Sequence, residues 1–584
     1  MNVLVGAAVI LMAAAVPALA APKPGGGSAD ARFKALYTRE WKWREDQFAS
    51  GEDNVKEIVD HLPKVDAATQ QMRLDYWQEV MKALDAIPRD KLSAANQVNY
   101  DVYKPQLQVL IADQQFREYE MPANSDTTFW TDLGYTARQD FKKLKDYQSW
   151  IKQMRDVPRY FHEQIAVMRA GLKRGFTPPQ VTLQGRDGSI TNVTKAAPQD
   201  SLFYEPFKKM NGVDADAQGK LRAEALDVIA HVVQPAYAEL LTFWNEEYVP
   251  GARKALAAES LPDGKAYYRQ QILEYTTLDM SPDEIHRIGE AEVANLHQQM
   301  VDAMKETGFK GDFPAFLQFL RTDPQFAAKT PRELLEKAAY IAKQFDGKAS
   351  TWFGMLPRAR FAIKPVPDDL APFYTSGRGG PGTYLLNTYD LPHRPLYNLT
   401  ALTLHESAPG HAFQIPLAAE DKSLPDFRRY SYISAYGEGW ALYCEYLGDE
   451  MGMYETPYDR FGMLGYQIWR AVRLVVDTGI HAKGWTREQA IQYMHDYTAL
   501  PDHEIETEVD RYIAWPGQAL SYYLGEMTIK RERAKAEAAL GPKFNIRAFH
   551  DTVLQLGSVP MPVLEARIDR FIKEDGKGPY PDME

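Results

Sequence analysis

Helical periodicity is the feature that most constrains the fold of this chain. In residues 147–173, 282–307, 331–345 and 426–451, apolar side chains recur at i, i+3, i+4 and i+7, the spacing that gathers them on one helix face. Ser281-Pro-Asp-Glu and Thr330-Pro-Arg-Glu precede two of these windows, each offering a cap residue and a proline suited to the first helical position. One strand is predicted, at 383–387, delivered by the turn-rich run Ser376-Gly-Arg-Gly-Gly-Pro-Gly382. That run lacks the Lys-Ser/Thr of a phosphate loop and does not open a helix, so it reads as a turn. Glycine and proline also crowd at 185–206, 356–373 and 376–395, which read as loops or lids.

With 584 residues and 45% apolar content, the chain can bury one large core or two lobes. A weakly marked boundary at 261–268 separates an N-terminal helical lobe, 21–265, from a site-bearing lobe, 266–584. The net charge of −12 and the lack of a basic block interleaved with aromatics exclude nucleic acid as a partner. The one cysteine, Cys444, cannot form an internal disulfide.

Residues 3–15 are apolar and uncharged, and Ala18-Leu19-Ala20 gives the small-x-small pattern of signal-peptidase cleavage before Ala21. Residues 1–20 thus read as a signal peptide, and the mature chain as periplasmic or secreted. The stretch is too short for a stable span, so no integral membrane segment is expected after its removal. No cysteine follows it to take a lipid.

The densest chemistry is Leu404-His405-Glu406-Ser407-Ala408-Pro409-Gly410-His411. Imidazoles ligate zinc, and a glutamate beside the first one can take the proton of an activated water. Two histidines on one helix face are usually four apart. Here the separation is six, which on a regular helix turns His411 by roughly 120° and moves it about 9 Å along the axis. Proline lacks the N–H that the His405 carbonyl needs, and glycine tolerates irregular dihedrals. A helix opened at Pro409-Gly410 could therefore swing His411 back toward His405. The alternative is a helix ending at Ala408, then a turn and two unrelated histidines.

Downstream, Glu438 stands between two glycines in an apolar helical run, where a carboxylate is costly unless paired or metal-bound. It lies 27 residues beyond His411, enough for a turn and a return pass. Glu445 shares its helix face, as a solvated residue or as a partner that orients a ligand. Arg473, Asp477 and His481 recur along one face; the first two read as a buried ion pair. His481 reads either as a donor to a developing oxyanion or as a satisfied core histidine. Tyr384 and Asn387 on the predicted strand could hold a peptide by strand addition, or form an ordinary sheet edge. The sequence has no G-x-S-x-G elbow, and Cys444 reads as a small core residue, which disfavours serine and cysteine hydrolases.

The runs TLHESAPGHAFQ, SAYGEGWALY, RLVVDTGIHAKGWTREQA and EVDRYIAWPGQALSYYLGEMTIKRER resemble a large bacterial family, domain of unknown function 885, grouped with gluzincin-type zinc metallopeptidases. The likeness extends over most of the mature chain, through MRAGLKRGFTPPQVTL and FHDTVLQLGSVPMPVLEARID. It implies a mainly α, two-lobed, gluzincin-like fold with a small β-sheet beside the active-site helix. It also implies one zinc ion held by His405, His411 and Glu438, with Glu406 as catalytic base. Tyr522 as an oxyanion donor and Arg511 as a carboxylate fork follow from the same likeness. The function so read is an exported zinc peptidase acting on short peptides. A zinc amidase or esterase on a small non-peptide substrate and a non-catalytic peptide-binding protein are the alternatives.

Overall fold

A computed structural model of the chain describes residues 27–48, 58–125, 127–368 and 371–580. The signal-peptide reading of residues 1–20 falls outside the described residues.

The described residues are mainly helical. Three N-terminal helices, α1 (Ala29–Gln47), α2 (Ala67–Asp85) and α3 (Ala94–Phe116), precede the long α4 (Leu144–Arg174). Then follow α5 (Pro282–Glu306) and α6 (Pro331–Trp352). Both begin where the sequence places them: Ser281 accepts from the Glu284 N–H, Thr330 from the Glu333 N–H, and Pro282 and Pro331 occupy the first helical position. The window 426–451 is not one helix, because residues 430–433 interrupt it. The expected loop at 185–206 contains a helix, Asp187–Lys195.

Beyond α6, β1 (Ala362–Pro365), β2 (Gly377–Gly380) and β3 (Thr383–Leu386) form a sheet in the order β1-β3-β2. β3 pairs parallel with β1, Tyr384 opposite Ile363, and antiparallel with β2, Tyr384 opposite Gly379. Of the three strands only β3 was expected. β2 is the glycine run that reads as a turn; with Arg378 its one side chain, it fits where the backbone must press against a neighbour.

Six further helices build the site: α7 (Leu399–Glu406), α8 (His411–Glu420), α9 (Ser434–Glu450), α10 (Pro457–Lys483), α11 (Asp502–Ala514) and α12 (Ser521–Leu540). α10 is buried almost continuously from Phe461 to His481, the behaviour of a helix enclosed on all sides. Two apolar cores form. The larger joins Phe33, Trp77 and Leu107 of the N-terminal helices to Trp440, Ile468 and Ile529, so it draws on both sides of residue 265. The smaller gathers Trp130, Trp150, Phe161, Tyr237 and Trp244 around α4. No helix among the described residues is long and apolar enough to cross a membrane.

α9 and α12 cross at a pair of glycines. A Cβ on Gly525 would lie 2.0 Å from the Ala435 carbonyl oxygen, and one on Gly439 would lie 2.5 Å from the Gly525 carbonyl carbon. This contact abuts Glu438. Gly525→Ala is expected to cost about 1–3 kcal/mol by overpacking, read as a lower midpoint in thermal unfolding.

Candidate metal centre

α7 ends at Glu406, and α8 begins at His411. Between them the chain closes on itself, with the Gly410 N–H donating to the Leu404 carbonyl over 3.0 Å. Only glycine fits there, because a Cβ would stand 1.8 Å from the His405 carbonyl oxygen. The Pro409 carbonyl accepts from the Trp440 indole N–H at 2.8 Å, which ties the break to α9. The break thus spans Ser407 to Gly410, and His411 returns to His405 with ring centroids 4.9 Å apart. The unrelated-histidine alternative does not hold.

α9 brings in Glu438. Its Oε2 lies 3.5 Å from His405 Nε2 and 3.4 Å from His411 Nε2. One donor atom from each of His405, His411 and Glu438 lies within 4.8 Å of the others, the set a metal ion requires. Metal–ligand bonds of about 2.0–2.1 Å in a tetrahedral site imply ligand-to-ligand edges of about 3.3 Å, close to both separations. The residues fit a zinc ion.

His405 Nδ1–H donates to Glu445 Oε1 at 2.7 Å, which leaves Nε2 to face the other donors. Glu445 is therefore the orienting partner and not a solvated residue; it is fully buried. Burial alone would lower the His405 pKa, but the Glu438 and Glu445 carboxylates outweigh it and push it up to about 10. Burial would raise Glu438, yet His411 and His405 hold its carboxyl well below the usual range. Several carboxylates around two imidazoles favour a positive charge here, whether a proton or a divalent cation.

Glu406 Oε2 accepts from the Gly379 N–H at 2.6 Å. A Cβ on Gly379 would overlap the Glu406 carbonyl, so the glycine strand is what allows β2 to reach and fix the glutamate. Sequence reasoning missed this contact; its signal was a glycine run beside a strand. It also missed Tyr432. That ring is half exposed, but its hydroxyl end is desolvated beside Glu438, and both effects push its pKa well above the phenol range. No spacing rule marks a tyrosine in the segment before α9.

The other predicted residues scatter. His481 is not at the centre: its Nδ1 accepts from the Ala258 N–H at 3.0 Å and its Nε2–H donates to the Tyr512 carbonyl at 2.8 Å. Burial pushes its pKa down to about 3, so it is a satisfied core histidine with no donor left for an oxyanion. Asn387 is fully buried and engaged within the fold. Its amide donates to the carbonyls of Ala371, Tyr374 and Thr375 and accepts from the Tyr389 N–H, which pins the loop before β2. Tyr384 is buried in the core on the central strand, so β3 offers no edge; β2 does. Tyr522 and Arg511 come together, with Arg511 Nη2 3.3 Å from the Tyr522 hydroxyl. Tyr522 lies close enough to Tyr432 to raise its pKa.

Arg473 and Asp477 do not pair. Arg473 donates to Glu508 and the Tyr512 hydroxyl. Asp477 instead accepts from the Tyr268 hydroxyl at 2.6 Å and the Gly517 N–H.

The fold and centre define a mainly helical protein with two histidines and a glutamate converging across a helix break. The chain belongs to the family described as "Bacterial protein of unknown function (DUF885)", whose model matches residues 46–568. Among solved structures it is similar to the "putative lipoprotein from Colwellia psychrerythraea", with 27% identity, TM-score 0.87, and 94% of this chain and 100% of that chain covered. A "putative lipoprotein of unknown function from Shewanella oneidensis" shares the fold, with 17% identity, TM-score 0.67, and coverage of 93% and 99%. No curated protein matches the chain.

Two predictions follow from this geometry. Glu445→Gln, which keeps the shape and removes the charge behind His405, is expected to weaken metal retention by about 10–100-fold in chelator competition. Asp477 is the second case: burial pushes its pKa up to about 7. Because that exceeds the unfolded value of about 3.9, its stabilising contribution is complete at low pH and is lost as pH rises toward 7, on the order of 4 kcal/mol in all. Asp477→Asn is expected to lose less stability than the wild type in denaturant titrations between about pH 4 and pH 8.

Proposed function

We propose that the protein is an exported zinc-dependent peptidase acting on short peptides, of the gluzincin kind. The observation that carries this reading is the convergence of His405, His411 and Glu438 donor atoms beside Glu406, a carboxylate aimed by the Gly379 N–H. A ligand set of two histidines and one glutamate with a neighbouring glutamate base suits hydrolysis of an acyl bond.

His405, His411 and Glu438 would hold the ion, which when bound would act as a Lewis acid on water and on the scissile carbonyl. Glu406 takes a proton from the attacking water and returns it to the amine nitrogen as the C–N bond breaks. The Tyr432 and Tyr522 hydroxyls are the nearby donors for the negative charge that develops on the carbonyl oxygen. Glu445 holds the His405 ring in the tautomer that turns Nε2 inward. β2 is an outer strand beside Glu406, so an extended substrate would add to it through backbone hydrogen bonds.

Export is supported by the apolar N-terminal stretch and accords with the names of both structural neighbours. Cys444 sits fully buried in α9, so it is not available for lipid attachment.

Metal analysis of purified protein tests the reading, with about one zinc per chain expected in the wild type and a large loss in His411→Ala. Glu406→Gln is expected to keep the zinc and lose hydrolysis of a peptide panel by at least about 100-fold. Wild-type protein that takes up no zinc after reconstitution, or Glu406→Gln protein that turns over normally, overturns it.

A further inference from the structure

A cavity opens to solvent beside the start of β2. Its walls include Leu386 of β3, Leu402 of α7, Tyr466 of α10 and Glu504 of α11, with Ser376 and Arg394 from the segments that flank the sheet. The cavity and Glu406 share two walls. On α7, Leu402 stands one turn before Glu406, about 6 Å along the axis. On β2, a Cβ on Gly377 would lie 3.6 Å from Leu402 Cδ1, and two residues further on the Gly379 N–H reaches Glu406 Oε2 at 2.6 Å. Residues two apart on a strand face the same side. A substrate strand laid along β2 therefore passes both points within about three residues, at about 3.3 Å each.

Arg394 lacks an anion there. Its Nη1 donates to the His393 carbonyl at 3.3 Å, its Nε is buried without an acceptor, and no ion pair joins it to a carboxylate among the described residues. Asp390 is engaged by His393 at 2.7 Å. Glu504 lines the same cavity without pairing to Arg394. Burial pushes its pKa up to about 7, aided by Glu508 and opposed by Arg394, Arg470 and His393. Arg470 stands by Glu445 at 3.7 Å and Glu508 by Arg473 at 3.0 Å, so these two are matched outside the cavity. A guanidinium and a carboxyl that keeps its proton up to neutral pH are both donors, and an acceptor is what they lack.

The volume of about 30 Å³ has room for about two water-sized groups, which suits the two oxygens of a carboxylate. Leu386, Leu402 and Tyr466 offer an apolar wall to the methylenes that would carry it. The far wall is fixed, since Arg321 donates to the Thr498 carbonyl at 2.8 Å just before the segment that leads into α11. We propose that this cavity is a subsite for the side-chain carboxylate of a glutamate or aspartate in the substrate, held by Arg394, so that the protein prefers acidic peptides. This assignment rests on the peptidase reading and names its substrate class.

The test uses zinc-loaded full-length protein and the pentapeptide Ala-Ala-Phe-Ala-Ala with glutamate, glutamine or lysine placed in turn at each position. Fragments are identified by mass. At one position glutamate is expected to raise kcat/KM at least about 10-fold over glutamine, the scale of a charge-assisted hydrogen bond. In Arg394→Gln this ratio is expected to fall below about threefold, with Arg394→Lys intermediate because it keeps charge without the fork. Thermal melts of both variants confirm that they fold. Equal cleavage of glutamyl and glutaminyl peptides at every position, a preference for lysine, or an undiminished preference in Arg394→Gln overturns the proposal. The same peptides with amidated C-termini separate the side chain from the chain end. A glutamate preference lost on amidation overturns the proposal too, because the terminal carboxylate is then what is read. Calorimetric binding of each glutamyl peptide and its glutaminyl counterpart to zinc-loaded Glu406→Gln gives a readout without turnover, again with at least about 10-fold tighter binding of one glutamyl peptide. If wild type cleaves no peptide yet the glutamyl peptide still binds selectively through Arg394, the peptidase reading fails and the subsite stands. Cleavage without that selectivity does the reverse.

Discussion

Everything at the centre depends on one backbone hydrogen bond, from the Gly410 N–H to the Leu404 carbonyl. A regular helix would have asked residue 409 to donate to His405, and proline cannot. The chain reaches one residue further on and one residue further back, from Gly410 to Leu404, and the resulting tight loop brings His411 beside His405. Such a closure is irregular, so neighbours must secure it. Trp440 holds the Pro409 carbonyl, and the Ser407 hydroxyl donates to the Thr403 carbonyl. Trp440 lies two residues after Glu438 on α9, so the helix that secures the break also delivers the third donor. Seating of the loop and completion of the cluster are therefore coupled.

The helices were legible because burial imposes a period that the sequence must carry; α5 and α6 even announce their first residues through Ser281-Pro and Thr330-Pro. The histidine motif was legible as chemistry but not as geometry. Spacing alone could not decide between an opened helix and two strangers, since the closing bond joins residues with no pattern between them. β2 was illegible for a different reason. Strand propensity is carried by side chains, and this strand has almost none, because Glu406 needs the backbone close. His481 shows the converse error. A histidine on the same helix face as Arg473 and Asp477 looks functional, but its two nitrogens serve the backbones of Ala258 and Tyr512.

Along that face α10 buries four polar side chains. A helix enclosed on all sides has no solvent face on which to place polar groups, yet Arg470, Arg473, Asp477 and His481 are all buried on it. Each is matched separately: Arg470 beside Glu445, Arg473 with Glu508 and Tyr512, Asp477 with Tyr268 and Gly517, His481 with two backbone groups. The matches change character along the helix. Toward its C-terminal end they are neutral or nearly so, since burial holds Asp477 protonated over much of the acid range and His481 uncharged. Nearer His405 and His411 they are ionic.

This gradient separates two tasks on one element. The neutral pairs join α10 to the segment around Ala258 and to the Trp515–Gln518 turn, both of which only need holding in place. The ionic end faces the site, where charge has consequences. Glu445 draws the His405 proton to Nδ1, and Arg470 beside Glu445 keeps that carboxylate from being an isolated buried charge. The same arginine lies over the Tyr522 ring, 6.0 Å from its centroid. A single helix therefore buries ion-paired groups beside the histidines and neutral ones toward its C-terminal end.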